Sequence, residues 1–166
     1  LLGRRLADEG YEFRLVNASV SGETSTGGLA RLPRALDVHR PAVAILQLGA
    51  NDGLRGLPPQ ATGDNLARMV RLLKSRGARV VLVGIQMPPN YGPRYAAEFS
   101  ALYQAIAARE RVALVPFLLD GVAMQRSLMQ DDNLHPNESA QPRMLENVWP
   151  RLRPLLRSAK RQHKAG

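Results

Sequence analysis

The 166 residues contain no cysteine. That removes disulfides, thiolate nucleophiles and thiolate metal sites, and it fits either side of an inner membrane. Histidine is scarce: His39, His135 and His163 are widely scattered, with no HExxH or related ligand spacing, so no metal site is expected. No run approaches the roughly 18 apolar residues of a membrane span, so no transmembrane segment is expected. No secretory leader is visible, but the chain begins with Leu1 rather than Met, so this excludes nothing. Acids are the minority charge, 14 against 23 lysines and arginines, for a net +9. Much of that excess lies in Arg151, Arg153, Arg157, Lys160, Arg161 and Lys164. Aromatic residues are only 5% of the chain and none interleaves with those bases. Nucleotide stacking therefore has no platform, and a solvated basic tail is expected rather than a nucleic-acid partner.

What is present is a regular alternation of apolar runs and helical periods. Phe13–Val20, Ala42–Leu48, Ala78–Ile85 and Val112–Phe117 are short runs rich in valine and leucine that read as buried strands. Between them Ser25–Val38, Thr62–Arg76 and Tyr95–Glu110 show 3.6-residue spacing; Leu66, Met69, Val70 and Leu73 mark one apolar face, and Phe99, Leu102, Tyr103 and Ile106 another. Leu1–Asp8 reads as the end of a helix, and Ala140–Ser158 as a last helix interrupted near Pro150 and Pro154. This order predicts one α/β domain over residues 1–158 with a mostly parallel sheet, followed by a basic tail over 159–166. A chain of this length buries about 70% of its unfolded surface.

In such sheets, sites gather at the carboxyl ends of strands. Val20 leads into Ser21-Gly22-Glu23, Leu48 into Gly49-Ala50-Asn51-Asp52, and Ile85 into Gln86–Gly92. Gly22 alone reads as an ordinary turn glycine, although an amide without a neighbouring Cβ can also approach a developing oxyanion. Asn51 fits equally an Asx turn or cap and a neutral double donor to a negative oxygen. Asp52 is expected to order its loop by accepting backbone N–H bonds. Farther on, Asp132 and His135 stand three residues apart, a spacing of about 5–6 Å between Cβ atoms in a helical turn. A carboxylate there can hold the imidazole in one tautomer, which supplies the acid and base of a hydrolase triad.

Jointly, these signals fall in order on successive strand ends. The segments VNASVSGETSTGGLARLPRAL, LGANDGLRGLPP, MPPNYGPRY, VPFLL and MQDDNLHPNESAQP extend the pattern from Val16 to Pro142. In them the chain resembles the SGNH hydrolases of the GDSL esterase/lipase superfamily, and in particular a bacterial subgroup of acyl-CoA thioesterases, arylesterases and lysophospholipases. The resemblance implies a flavodoxin-like three-layer α/β/α fold with sheet order 2-1-3-4-5. It carries the oxyanion donors to Gly22 and Asn51, and the acid and base to Asp132 and His135. Substrate-lining positions fall at Leu54, Asn90 and Tyr91, with core packing as the rival reading for Leu54 and Tyr91. A small acyl ester or thioester substrate, no metal or organic cofactor, a monomer, and a periplasmic or secreted location are implied as well.

One block of that family pattern is absent. Its nucleophile lies in a Gly-Asp-Ser-Leu box on the first, central strand, and none of Ser19, Ser21, Ser25, Ser75, Ser100, Ser127, Ser139 and Ser158 stands in such a context. Ser21 abuts Gly22, but it belongs to a block where the family uses serine structurally. The chain is therefore expected to begin inside the helix after the first strand and to be inactive as it stands. Buried unpaired amides cost on the order of 1–3 kcal/mol each. Against a stability of about 5–15 kcal/mol, a missing central strand predicts poor folding alone. Two other readings remain open: a relative that only binds acyl or glycan groups, and a basic module that docks on anionic surfaces.

Overall fold

In a computed structural model describing residues 1–163, the sheet is built of parallel strands in the order β1 (Val43–Leu46), β2 (Arg79–Val83) and β3 (Ala113–Val115). Lys164–Gly166, the end of the basic tail, lie outside the described residues. Ile45 pairs with Val81, and Leu46, Leu82 and Leu114 align across the sheet. Successive strand residues point to opposite faces. Leu46, Val80 and Leu82 meet Leu36, Leu66, Met69, Val70, Leu73, Phe99 and Tyr103 in the larger core. These come from α2 (Ser25–His39), α4 (Pro59–Ser75) and α5 (Pro93–Glu110). Val81, Val83 and Val115 face the other way, onto Leu6 of α1 (Leu2–Asp8) and Val148, Trp149, Leu152 and Leu156 of α6 (Gln141–His163). Helices thus cover both faces, which gives the expected three-layer α/β/α arrangement.

Two expectations fail. The first is the strand at Phe13–Val20, which joins no ladder in the structure. Leu15, Val16 and Val20 are 54%, 38% and 53% exposed. On the sheet, Ile45 of the edge strand is 41% exposed while its neighbour Val81 is fully buried. A strand needs a neighbour's N–H and C=O groups at about 4.8 Å, and none lies beside this segment among the described residues. Leu15, Val16 and Val20 are accordingly left to solvent, while Phe13 packs on the core beneath α6.

The second is the interruption of the last helix. α6 runs through Pro150 and Pro154 to His163. An interior proline costs about 3 kcal/mol. Burying Val148, Trp149, Leu152 and Leu156 against the sheet returns about 1.5–3 kcal/mol per side chain, so packing wins. One base of the basic run is also engaged: Arg153 pairs with Glu9 at 3.0 Å, and Glu9 in turn holds Arg5 at 2.9 Å.

The contrast between centre and edge is measurable. Leu82→Ala should cost about 2–5 kcal/mol in a urea unfolding curve. Ile45→Ala should cost less than about 1 kcal/mol. Equal costs would mean that the outer side of β1 is covered rather than open.

Candidate active site

Gly22 sits in an exposed turn with φ +74°, a left-handed backbone that an L side chain rarely adopts. The chain then enters α2, whose first amides are capped by Thr24: its Oγ1 accepts from Gly27 N at 3.3 Å. After β1 comes Gly49, with φ +111°, where a Cβ would lie 2.3 Å from the Tyr103 hydroxyl. Only glycine fits both the backbone and the contact. The residues that follow form a short helix absent from the sequence reading, α3 (Ala50–Leu54).

These two loops are stitched together. Asn51 Nδ2 donates to the Glu23 carbonyl at 2.9 Å, and Arg55 donates to the Gly22 carbonyl at 3.3 Å. Asp52, only 2% exposed, accepts from Ser25 N at 2.8 Å, from the Ser25 hydroxyl at 2.5 Å and from Thr62 Oγ1 at 3.3 Å. Asp52 thus orders the loop through a backbone N–H, as expected. Ser25 is fully buried in that network, and Asn65 also donates to its Oγ at 3.0 Å. Gly22 and Asn51 are therefore neighbours, one offering an amide and the other a carboxamide.

Asp132 and His135 form the second pair. His135 Nδ1 lies 2.6 Å from Asp132 Oδ2. A helical turn does not make this contact. Instead Asp132 Oδ1 accepts from the amides of Leu134 (2.9 Å) and His135 (3.0 Å), an Asx turn completed by Asn133 in the left-handed region at φ 52°. The turn is pinned at its base by Gln130 N to the His135 carbonyl (2.8 Å) and by Asn137 N to the Leu128 carbonyl (2.9 Å). Both side chains are accessible, at 64% for His135 and 47% for Asp132. Asp132 holding Nδ1 leaves Nε2 as the ring nitrogen for chemistry. Among the described residues no hydrogen bond links this pair to Gly22 or Asn51.

The remaining predicted positions fall around α3 and the start of α5. Leu54 and Tyr91 are half-buried and both pack on the larger core, while Asn90 is exposed in a 3₁₀ turn, Pro89–Tyr91. Tyr91, Arg94, Tyr95 and Glu98 line a shallow open cleft. The phenols of Tyr91, Tyr95 and Tyr103 all donate to carbonyls of residues 48–57. Sequence reasoning missed these contacts, although the four-residue spacing of Tyr95, Phe99 and Tyr103 marks one helix face.

The His135 backbone amide, the His135 ring and the Leu134 amide together hold the Asp132 carboxyl down to about 2 from an ordinary 3.8. Because the folded value lies below the unfolded one, the turn gains stability from Asp132 above about pH 4 and loses it as pH falls through about 2. NMR titration of the Asp132 carboxyl carbon should find its midpoint near the lower value. A midpoint at an ordinary aspartate position would mean that this Asx turn is not held in solution.

Comparison with known proteins agrees with this architecture. Residues 1–141 match the GDSL-like Lipase/Acylhydrolase family. The chain is 58% identical over 156 residues to Esterase TesA of Pseudomonas aeruginosa, covering 94% of this chain and 78% of that protein. It is 44% identical over 142 residues to the thioesterase 1/protease 1/lysophospholipase L1 of Escherichia coli, covering 86% of this chain and 68% of that one. A crystal structure of TesA superposes with a TM-score of 0.91 at 57% identity, over 93% of this chain and 86% of that chain. The match over residues 1–141 and these identities show that the chain belongs to the GDSL-like lipase/acylhydrolase family.

Proposed function

We propose that this domain serves the hydrolysis of small carboxylic esters and thioesters by an acyl-serine route. Membership of an acylhydrolase family supports the ester-hydrolase class, and the esterase and thioesterase names of the relatives support the substrates. The observation that carries the residue assignment is the 2.6 Å contact of a low-pKa carboxylate with His135 Nδ1. His135 Nε2 takes the proton of a serine hydroxyl as that oxygen bonds to the substrate carbonyl carbon. Asp132 orients the ring and stabilises its cationic form. The Gly22 N–H and the free N–H of the Asn51 carboxamide donate to the oxyanion. The tetrahedral adduct then collapses, the alcohol or thiol leaves with the proton from His135, and water cleaves the acyl-serine with His135 again as base. Leu54, Asn90 and Tyr91 border the acyl group. A periplasmic or secreted setting is part of the same reading and rests on the family resemblance alone.

No Gly-Asp-Ser occurs in residues 1–166, so in this reading the nucleophile comes from a strand that adds beside β1, and these residues alone are inactive. The open side at Ile45 and the unpaired Leu15–Val20 segment are the features such a strand would complete. With p-nitrophenyl butyrate, the chain alone should show no turnover above background. Placing a Gly-Asp-Ser first strand ahead of Leu1 should restore it. In that protein His135→Ala should lower kcat by about 10⁶-fold and Asn51→Ala by about 10²–10³-fold. Full turnover by residues 1–166 alone would show that the nucleophile had been misplaced.

A further inference from the structure

α3 is too short to persist by its own hydrogen bonds. Five residues make fewer than two turns, and isolated helices below about 12 residues are marginal in water. Its last carbonyls have no partners within the helix. The local chain satisfies three of them: Arg55 N donates to Asn51 O at 3.1 Å, Leu57 N to Asp52 O at 3.0 Å and Gly56 N to Gly53 O at 2.9 Å. The Leu54 carbonyl is met from outside, and the loop just beyond the helix is anchored in the same way. Tyr91 donates to the Leu54 carbonyl at 2.9 Å, and Tyr95 to those of Leu57 at 2.8 Å and Gly53 at 3.3 Å. Tyr103 donates to the Leu48 carbonyl, just ahead of the helix, at 2.8 Å.

The donors share one support. Tyr91, Tyr95, Phe99 and Tyr103 form a continuous aromatic ladder, with neighbouring ring centroids 6.3, 5.7 and 6.3 Å apart. Its lower end, Phe99 and Tyr103, is buried in the larger core, and its upper end reaches the open cleft. Burial raises the phenol of Tyr95 above its ordinary value, with the charge of Asp52 adding to the effect, so the hydroxyl remains a donor. The ladder therefore transmits the rigidity of the core to a helix that has little of its own.

We infer that Tyr91 and Tyr95 are positioning residues for Asn51, their hydroxyls latching α3 so that the Asn51 carboxamide stays aimed at the reacting carbonyl. The inference rests on the oxyanion role proposed for Asn51. Such a donor acts only when it lies about 2.7–3.1 Å from the oxyanion. A drift of about 1 Å can cost up to about 10²-fold in rate. Leu54 and Leu57 follow Asn51 in the chain whereas β1 precedes it, so loss of their anchors frees the C-terminal end of α3 while β1 stays in place.

Y91F and Y95F remove the hydroxyls and keep the rings, so the ladder survives in both. In the chain preceded by a Gly-Asp-Ser strand, the pair should lower kcat on p-nitrophenyl acetate about tenfold and move KM by less than about twofold. In an Asn51→Ala background the same pair should cost nothing further. An equal loss in both backgrounds, or no loss in either, overturns the latch while leaving the donor role of Asn51 intact. A normal kcat for Asn51→Ala alone overturns the donor role, and the latch with it. A second readout needs no catalysis. In the same strand-extended protein, the amides of Gly53 and Leu57 should exchange about tenfold faster in Y91F/Y95F, with Val81–Val83 unchanged. Unaltered exchange at Gly53 and Leu57 overturns the latch as well.

Discussion

A carboxylate taken out of water must be met by donors or give up its charge. Asp52 is the place where this constraint organises the molecule. It is buried, its hydrogen-bond donors are Ser25 and Thr62, and no cation neutralises it among the described residues. Three elements must therefore keep their positions at once: the start of α2, the body of α3 and the start of α4. The turn that presents Gly22 and the helix that presents Asn51 inherit their relation from this requirement. A neutral apolar side chain in its place would leave the Ser25 amide buried without a partner, a penalty of about 1–3 kcal/mol.

The two halves of the site are built on different principles. Gly22 and Asn51 are held by tertiary contacts at the edge of the larger core, with Asp52 beneath them. Asp132 and His135 instead form an almost self-contained turn, in which one carboxylate accepts from two amides and an imidazole. Such a turn needs little burial, which fits the accessibility of both side chains. An ionised acid on the surface is screened by water, so its hold on the imidazole is a matter of geometry more than of strength. That geometry is set by Asn133 in a left-handed conformation and by backbone bonds closing the turn at Gln130 and Asn137.

Legibility from sequence followed the range of the interactions concerned. The three paired strands and the long helices were readable because burial repeats with the local period of each element. The pairing of Asp132 with His135 was readable because three residues of chain separate them, although the turn is an Asx turn and not a helical one. Gly22 and Asn51 were recognisable as residues following strands. Their hydrogen-bonded neighbourhood was not, since the bond from Asn51 to Glu23 spans 28 residues and that from Ser25 to Asp52 spans 27. The hydroxyls of Tyr91 and Tyr95 reach carbonyls 37, 42 and 38 residues away, and nothing in the local pattern names those partners.

By itself, then, the amino-acid order determined the succession of strands and helices, their apolar faces, and the acid–histidine couple, all of which depend on residues a few positions apart. Tertiary structure alone decided that Phe13–Val20 makes no ladder, that α6 runs unbroken through Pro150 and Pro154, and that α3 exists at all. The reason is common to the three. β-pairing, compensation for a helix-interior proline, and anchoring of a one-turn helix each require groups brought from distant parts of the chain, and local pattern carries no information about whether those groups are there.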